Sequence, residues 1–232
     1  MNNITIIAEA GINHLGSLDR ALKMVEAAAD AGADIVKFQS FTADNLGYDE
    51  KLTAFLRNVQ LSKDDHWKLK AKADKLGIEF MSTPFSNEWV DFLVALGVKR
   101  LKISSGRAKD RAFVKYARAT NLPLIISNGM TSEQEFLSSA AYNDTALYCV
   151  SEYPTPLHKI DFRKLIKLGD FFQTVGFSDH TQGIAASVIA AASGAEVIEK
   201  HFTLDRKLAG PDQICSLEPG ELKQMVTEIR AI

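Results

Sequence analysis

Three lysines, two histidines and one glutamate sit where this sequence places little else that is charged. Lys37, Lys102 and Lys200 each interrupt a run of apolar residues. A lysine inside such a run is costly to desolvate unless it is paired or discharged. One could be a satisfied structural cation. Two or three converging on one place point to an anion, a phosphate or a carboxylate. For Lys200 the structural reading weighs as much, because it flanks His201 and strand alternation can turn it outward. Thr83, Ser105 and the backbone amides of residues 104–106 offer hydrogen bonds to the same anion, with Gly106 permitting the backbone to expose them. His180 and His201 close two successive apolar runs. Two imidazoles with a nearby carboxylate, Asp212 or Glu9, make a divalent-metal site for Lewis-acid work; capping or core histidines are the alternative. Glu9 either pairs with Lys37 or transfers protons. Of the remaining histidines, His66 and His158 read as surface positions and His14 as the edge of the site.

These residues need elements that bring them together. Apolar runs fall at 5–10, 34–39, 78–83, 100–105, 123–128, 146–151, 174–179 and 196–202, short and rich in Ile, Val, Leu and Phe, as in strands buried on both faces. Helical spacing of apolar residues occupies 18–33, 64–77, 87–97, 110–120, 132–141, 161–169, 181–194 and 218–232. Eight strands alternating with eight helices predict a (β/α)8 TIM barrel, a single catalytic domain over residues 1–232. A doubly wound sheet shares the alternation, but no G-x-G-x-x-G follows the first strand. In a barrel the active site lies at the carboxyl ends of the strands, where the residues above fall. The interval 40–62 is too long for a βα loop. It predicts a small helix around 50–58 and a lid over the catalytic face.

Bulk properties exclude several function classes. The 232 residues are 46% apolar and carry a formal charge of −2, which gives no reason to expect a nucleic acid or an anionic membrane as partner. No apolar run approaches the roughly 20 residues that span a bilayer, and residues 1–10 lack a targeting pattern. Cys149 and Cys215 have no metal-type spacing and fit a reducing, cytoplasmic setting.

With those residues in view, the chain resembles the N-acetylneuraminate (sialic acid) synthase family. The likeness rests on AEAGINHLGSLDRA, GADIVKFQSF, FMSTPF, LKISSG, YPTP, VGFSDHTQG, VIEKHFTLD and GPDQICSLEP, in order over residues 8–219. It implies condensation of phosphoenolpyruvate with an aldose, N-acetylmannosamine-like or related, on a TIM barrel with Mn2+ or Mg2+. By position it implies that Lys37, Thr83, Lys102, Ser105, Tyr153 and Ser178 hold phosphoenolpyruvate. His180 and His201 bind the metal, Asp212 orients metal-linked water, and Glu9 is the acid of the first strand. Gln39 and Arg107 are the acceptor-binding candidates.

Three departures from the family pattern matter. Arg107 stands where an acid is usual after LKISSG, which suits a phosphorylated or carboxylated acceptor. Asn128 replaces a threonine in S-T-G-M, and Ser151 an asparagine before the Tyr-Pro pair. The C-terminal antifreeze-like domain typical of the family is not expected in this chain. Barrels of this kind often form homodimers, although no apolar stripe marks a contact. Two other readings compete: a Schiff-base aldolase with Lys102 or Lys200 as nucleophile, and a non-catalytic barrel that binds sugar or phosphoenolpyruvate.

Overall fold

The computed structural model describes residues 4–232; Met1 to Asn3 lie outside the described residues. The strands are β1 (Thr5–Gly11), β2 (Ile35–Ser40), β3 (Glu79–Pro84), β4 (Leu101–Ile103), β5 (Leu124–Ser127), β6 (Thr145–Cys149), β7 (Thr174–Asp179) and β8 (Val197–His201). The helices are α1 (Leu18–Asp30), α2 (Glu50–Val59), α3 (Lys63–Leu76), α4 (Asn87–Leu96), α5 (Ser105–Ala108), α6 (Arg111–Arg118), α7 (Glu133–Ser139), α8 (Phe162–Leu168), α9 (Ala185–Ala192) and α10 (Pro219–Arg230). All paired strands run parallel, in the order β3-β2-β1-β8-β7-β6-β5-β4. The two end strands, β3 and β4, pack side by side and close the ring. This is the (β/α)8 barrel that the alternation predicts.

Because successive side chains alternate, each strand has one lumen face and one helix-facing face. Ile7, Ile35, Met81, Ile125, Leu147 and Val197 fill the floor of the lumen. Gly176 belongs to this tier. A Cβ there would come within 2.3 Å of the Val197 carbonyl oxygen and 2.6 Å of Leu147, so only glycine fits. The other faces, with Ile6, Ala8, Val36, Phe38, Phe80, Ile103, Ile126, Tyr148, Phe177 and Ile198, merge with the inner faces of the helices into one large core. Side-chain caps start most helices: Ser17, Asp49, Ser62, Ser86, Asp110, Ser132 and Asp161 each accept an amide of the first turn.

The 40–62 segment contains a 3-10 turn at Ala43–Asn45 and then α2, close to the helix expected at 50–58. It is pinned by a separate apolar cluster of Ile12, Phe41, Ala43, Leu56 and Val59. Arg57 pairs with Asp44 and Glu50. Two boundaries differ from the pattern-based expectation. β4 stops at Ile103 because Ser105–Ala108 forms a short helical turn. The helix expected from residue 181 starts at Ala185, because the Asp179 carboxylate captures the Thr181 amide at 2.7 Å and holds the chain in a turn. Among the described residues no helix is long and apolar enough to cross a membrane.

Candidate active site

Above the apolar floor the lumen changes character. A cavity of about 300 Å³ opens at the carboxyl ends of the strands. Its wall includes Glu9, Lys37, Gln39, Thr83, Lys102, Ser105, Ser127, Tyr153, Ser178, His180, Glu199 and His201, with Tyr48 reaching over it from the 40–62 segment. That contact gives the segment its place over the mouth.

Register explains the convergence. Glu9 lies beside Lys37 on β2 and beside His201 on β8. Ser178 lies beside Glu199. The Lys37 ammonium is 2.8 Å from Oε2 of Glu9 and 3.4 Å from Oε2 of Glu199, and it donates to Oγ1 of Thr83 at 3.1 Å. Lys102 donates to Ser127 Oγ at 2.7 Å and stands 3.5 Å from Oε1 of Glu199. Ser178 donates to the same Oε1 at 2.8 Å. The four charged residues are 2% to 5% exposed. Oε2 of Glu9 and Oε2 of Glu199 are ion-paired but have no well-directed hydrogen bond.

Burial dominates the electrostatics of this cluster. It raises the Glu9 carboxyl to about 7, only partly opposed by Lys37. Burial also acts on Glu199, but Lys102 and Lys37 together with the Ser178 hydroxyl outweigh it and hold that carboxyl near 2. Lys37 is raised, its burial being overcome by Glu199 and Glu9. Lys102 is lowered by burial.

The two imidazoles meet at the mouth with ring centroids 5.6 Å apart. Nδ1 of His180 is 2.8 Å from the Val150 carbonyl oxygen, which can only accept, so Nδ1 carries the proton and Nε2 presents a lone pair. The Tyr153 hydroxyl is 2.9 Å from Nε2, and its ring lies against the imidazole with centroids 4.1 Å apart. Nδ1 of His201 is buried without a hydrogen-bond partner, 3.9 Å from Oδ2 of Asp212. Burial pushes His180 down and His201 well down, the latter helped by His180 and Lys37, while it raises the Asp212 carboxyl to about 6. Among the described residues no group of three or more His, Cys, Asp or Glu is assembled to hold a metal. The donor set is two neutral imidazoles with lone pairs to share, which fits a divalent ion whose other positions are filled from outside the protein.

Several residues lie elsewhere than the sequence suggested. Lys200 turns out of the lumen into the layer between β8 and α9. There it pairs with Asp179 at 3.1 Å and donates to the Thr181 carbonyl at 2.5 Å. Alternation decides this, since His201 and Glu199 take the inner face. Arg107 does not line the cavity. Its guanidinium lies 4.2 Å from the Phe113 ring centroid and 3.2 Å from Asp110, because the turn Ser105–Ala108 carries it outward. His66 is fully buried, not a surface residue. It meets Ser40 at 2.7 Å, and Ser40 in turn meets Ser82 at 2.6 Å, a polar chain between α3 and the barrel. His14 is buried against Phe38, and its burial lowers it to about 4. His158 is exposed, as expected. Ser105 takes the Gly129 amide at 3.0 Å and touches Cys149 Sγ at 3.1 Å, and Gln39 reaches Glu9 at 3.5 Å.

Glu199 is the residue that sequence reasoning missed. It makes the pocket charge-balanced, two ammoniums with two carboxylates, where a cationic site with one acid was expected. The signal was present: once His201 is assigned to the inner face, the residue two before it must share that face.

A (β/α)8 barrel that gathers a charge-balanced lysine–glutamate cluster and two imidazoles at the carboxyl ends of its strands has the layout of an enzyme barrel. The chain belongs to the NeuB family, whose model it matches over residues 24–232. It is 42% identical to the N,N'-diacetyllegionaminic acid synthase of Legionella pneumophila, covering 97% of this chain and 71% of that protein. It is 34% identical to the pseudaminic acid synthase of Campylobacter jejuni, covering 98% and 73%. A crystal structure of N-acetylneuraminic acid synthetase from Leptospira borgpetersenii, in complex with citrate, superposes with a TM-score of 0.95 at 35% identity, covering 99% of this chain and 84% of that one. The chain is thus an enzyme of the class of synthases that form C–C bonds in sialic-acid-like sugars.

Proposed function

We propose that this enzyme condenses phosphoenolpyruvate with an aldose to give a 2-keto-3-deoxy sugar acid and inorganic phosphate. The observation that carries the reading is the lumen cluster of Lys37, Lys102, Glu9 and Glu199 beside two buried neutral imidazoles. Lys37 and Lys102, with Thr83, Ser105 and Ser178, bind the phosphate and carboxylate of phosphoenolpyruvate. These anions take over from Glu9 and Glu199 as partners of the ammoniums. Placed in a dry lumen, such charges are far more effective than in water.

His180 and His201 would hold the divalent ion, Mn2+ or Mg2+, which when bound supplies Lewis acidity toward a carbonyl oxygen. Carbon–carbon bond formation joins C3 of the enol phosphate to the aldehyde carbon and leaves C2 electron-deficient. Water adds at C2, where Glu9 in the cavity wall and Asp212 beside His201 would orient it and accept its proton. The resulting phosphate hemiketal collapses to the ketone with loss of phosphate, so one water is consumed per phosphate released. Tyr153 lines the cavity with the phosphoenolpyruvate residues, and Gln39 and Tyr48, which also line it, are the candidates to meet the acceptor. The relatives' names differ in their sugar, so the acceptor is an amino-sugar-derived aldose of that range. A reducing cytoplasm suits the two buried free thiols, Cys149 and Cys215.

A Schiff-base reading survives only for Lys102, whose ammonium is destabilised by burial and faces the cavity; Lys200 is spent on Asp179. The test is phosphate release from phosphoenolpyruvate, screened over aldoses with Mn2+ or Mg2+. Release that depends on both aldose and metal, and stops with chelator, supports the proposal. Chelator-insensitive turnover with a borohydride-trapped adduct on Lys102 favours the aldolase. Tight phosphoenolpyruvate binding with no release for any aldose overturns catalysis altogether.

A further inference from the structure

We propose that this barrel carries a second ligand site, outside the lumen, for a molecule of nucleotide class: a flat, largely apolar ring body joined to phosphate. It lies between α7 and α8, where a cavity of about 580 Å³ exceeds the lumen cavity of about 300 Å³. The gap has a plain origin. α7 and α8 have 7 residues each, against 13, 14 and 12 in α1, α3 and α10. α7 packs on α6 but makes no comparable contact with α8.

The walls offer two chemistries. Phe136, Leu137, Leu168 and Phe171 supply an apolar surface, and Phe171 is still 38% exposed. Lys159, Lys164 and Lys167, all exposed, line the same cavity. Lys164 has no ion pair. Lys159 and Lys167 hold Glu152 at 2.6 Å and Glu133 at 2.8 Å, with all four side chains about half exposed. Such pairs are screened and weak, so a phosphate displaces their carboxylates at small cost. Three ammoniums against two carboxylates leave one positive charge in excess. Asn128, a departure from the family pattern, also lines this cavity. Its Oδ1 accepts the Cys149 amide at 3.2 Å, which leaves its NH2 as an unpaired donor for a ligand hydroxyl or ring carbonyl.

An inorganic anion would leave the apolar wall wet, and a neutral ring would leave Lys164 unused. A nucleotide engages both, and the volume lies within the roughly 300–1,000 Å³ of ordinary small-molecule pockets.

The measurement is calorimetric titration of the full chain with the ribonucleoside mono- and diphosphates, with inorganic phosphate as the control and phosphoenolpyruvate in excess. The variants are Lys164→Glu and Phe171→Ala, both at exposed positions away from the lumen, and Lys102→Met in the lumen. The expected result is saturable binding of at least one nucleotide and none of inorganic phosphate. Lys164→Glu should weaken it about ten- to a hundredfold and Phe171→Ala about three- to tenfold, while Lys102→Met leaves it unchanged. Binding that falls in Lys102→Met but not in Lys164→Glu belongs to the lumen and overturns the second site. No saturable binding of any of these nucleotides also overturns it. If that result came with a concentration-dependent dimer that Phe171→Ala dissociates, a second copy of the chain would be what covers the gap.

Discussion

Lys200 and its neighbour Glu199 occupy successive positions on one strand and meet opposite fates. Glu199 enters the lumen, where it serves two lysines and a serine while one of its oxygens lacks a directed partner. Lys200 enters the helix layer, where its network is closed. Asp179 receives the Lys200 ammonium, the Thr181 amide at 2.7 Å and the Ser187 hydroxyl at 2.6 Å, and Lys200 also donates to the Thr181 carbonyl. Both clusters are buried ion pairs. The closed one is a structural clasp between β7, β8 and α9. The lumen one faces a cavity, and the atoms it leaves without a hydrogen bond are acceptors, one oxygen each of Glu9 and Glu199.

Breaking each cluster should therefore register in a different experiment. Lys200→Met leaves the Asp179 carboxylate buried and uncompensated, at a cost of about 3–5 kcal/mol in urea unfolding. Pairing it with Asp179→Asn should recover part of that loss. Lys102→Met should instead cost less than Lys200→Met, because Lys37 still faces Glu199 and burial already disfavours the Lys102 ammonium. It should lower phosphate release from phosphoenolpyruvate by about a hundred- to a thousandfold, as removal of a preorganised charge-stabilising group does. If Lys200→Met abolished activity in a chain that stayed folded, or Lys102→Met unfolded the protein with activity per folded molecule intact, the division between clasp and site would be wrong.

The two lumen carboxylates sharpen the comparison further, because their pH effects have opposite signs. Glu9 is raised to about 7 in the folded chain from an ordinary 4.5, chiefly by burial. Between those values the folded state holds a proton that the unfolded state has released. The stability this contributes is complete below about pH 4.5 and is lost as pH rises through about 7. Glu199 is held near 2 by Lys102 and Lys37, so its contribution is present above about pH 4.5 and is lost as pH falls toward 2. Measured as unfolding free energy, wild type should lose on the order of 3 kcal/mol relative to Glu9→Gln between pH 4.5 and 7.5. Relative to Glu199→Gln it should lose stability only on the acid side. A flat difference curve for Glu9→Gln would remove Glu9 as the proton-holding acid of the cavity.

Most of the barrel was legible because strands buried on both faces must be apolar runs, and the polar residues that end them are the exceptions that expose the site. The legible part stops where a side chain's direction depends on what lies across the layer. His66 sits in the polar stretch Asp64–Asp65–His66–Trp67–Lys68, which reads as solvent-facing. It is drawn inward by Ser40 and Ser82, hydroxyls on the outer faces of two strands that no helical pattern reveals. The start of α9 was misplaced for a related reason: the Asp179 carboxylate, already bound to Lys200, competes for the amide that would otherwise begin the helix.

Arg107 gives the smallest expected effect and the finest test. The family resemblance puts an acid at this position, and a guanidinium there invited an acceptor-binding role. The structure instead stacks it on Phe113 and pairs it with Asp110, outside the residues that line the cavity. Both partners are met at a side chain one-third exposed, so solvent screens the pair and the ring contact carries most of its worth. Arg107→Ala should cost no more than about 1 kcal/mol of stability and change kcat/KM for the acceptor by less than about threefold. A tenfold or greater rise in acceptor KM, with phosphoenolpyruvate KM unchanged, would mean that the turn Ser105–Ala108 rotates when the acceptor binds and delivers the guanidinium to the mouth. The lumen cluster would then have an outer cationic partner in Arg107.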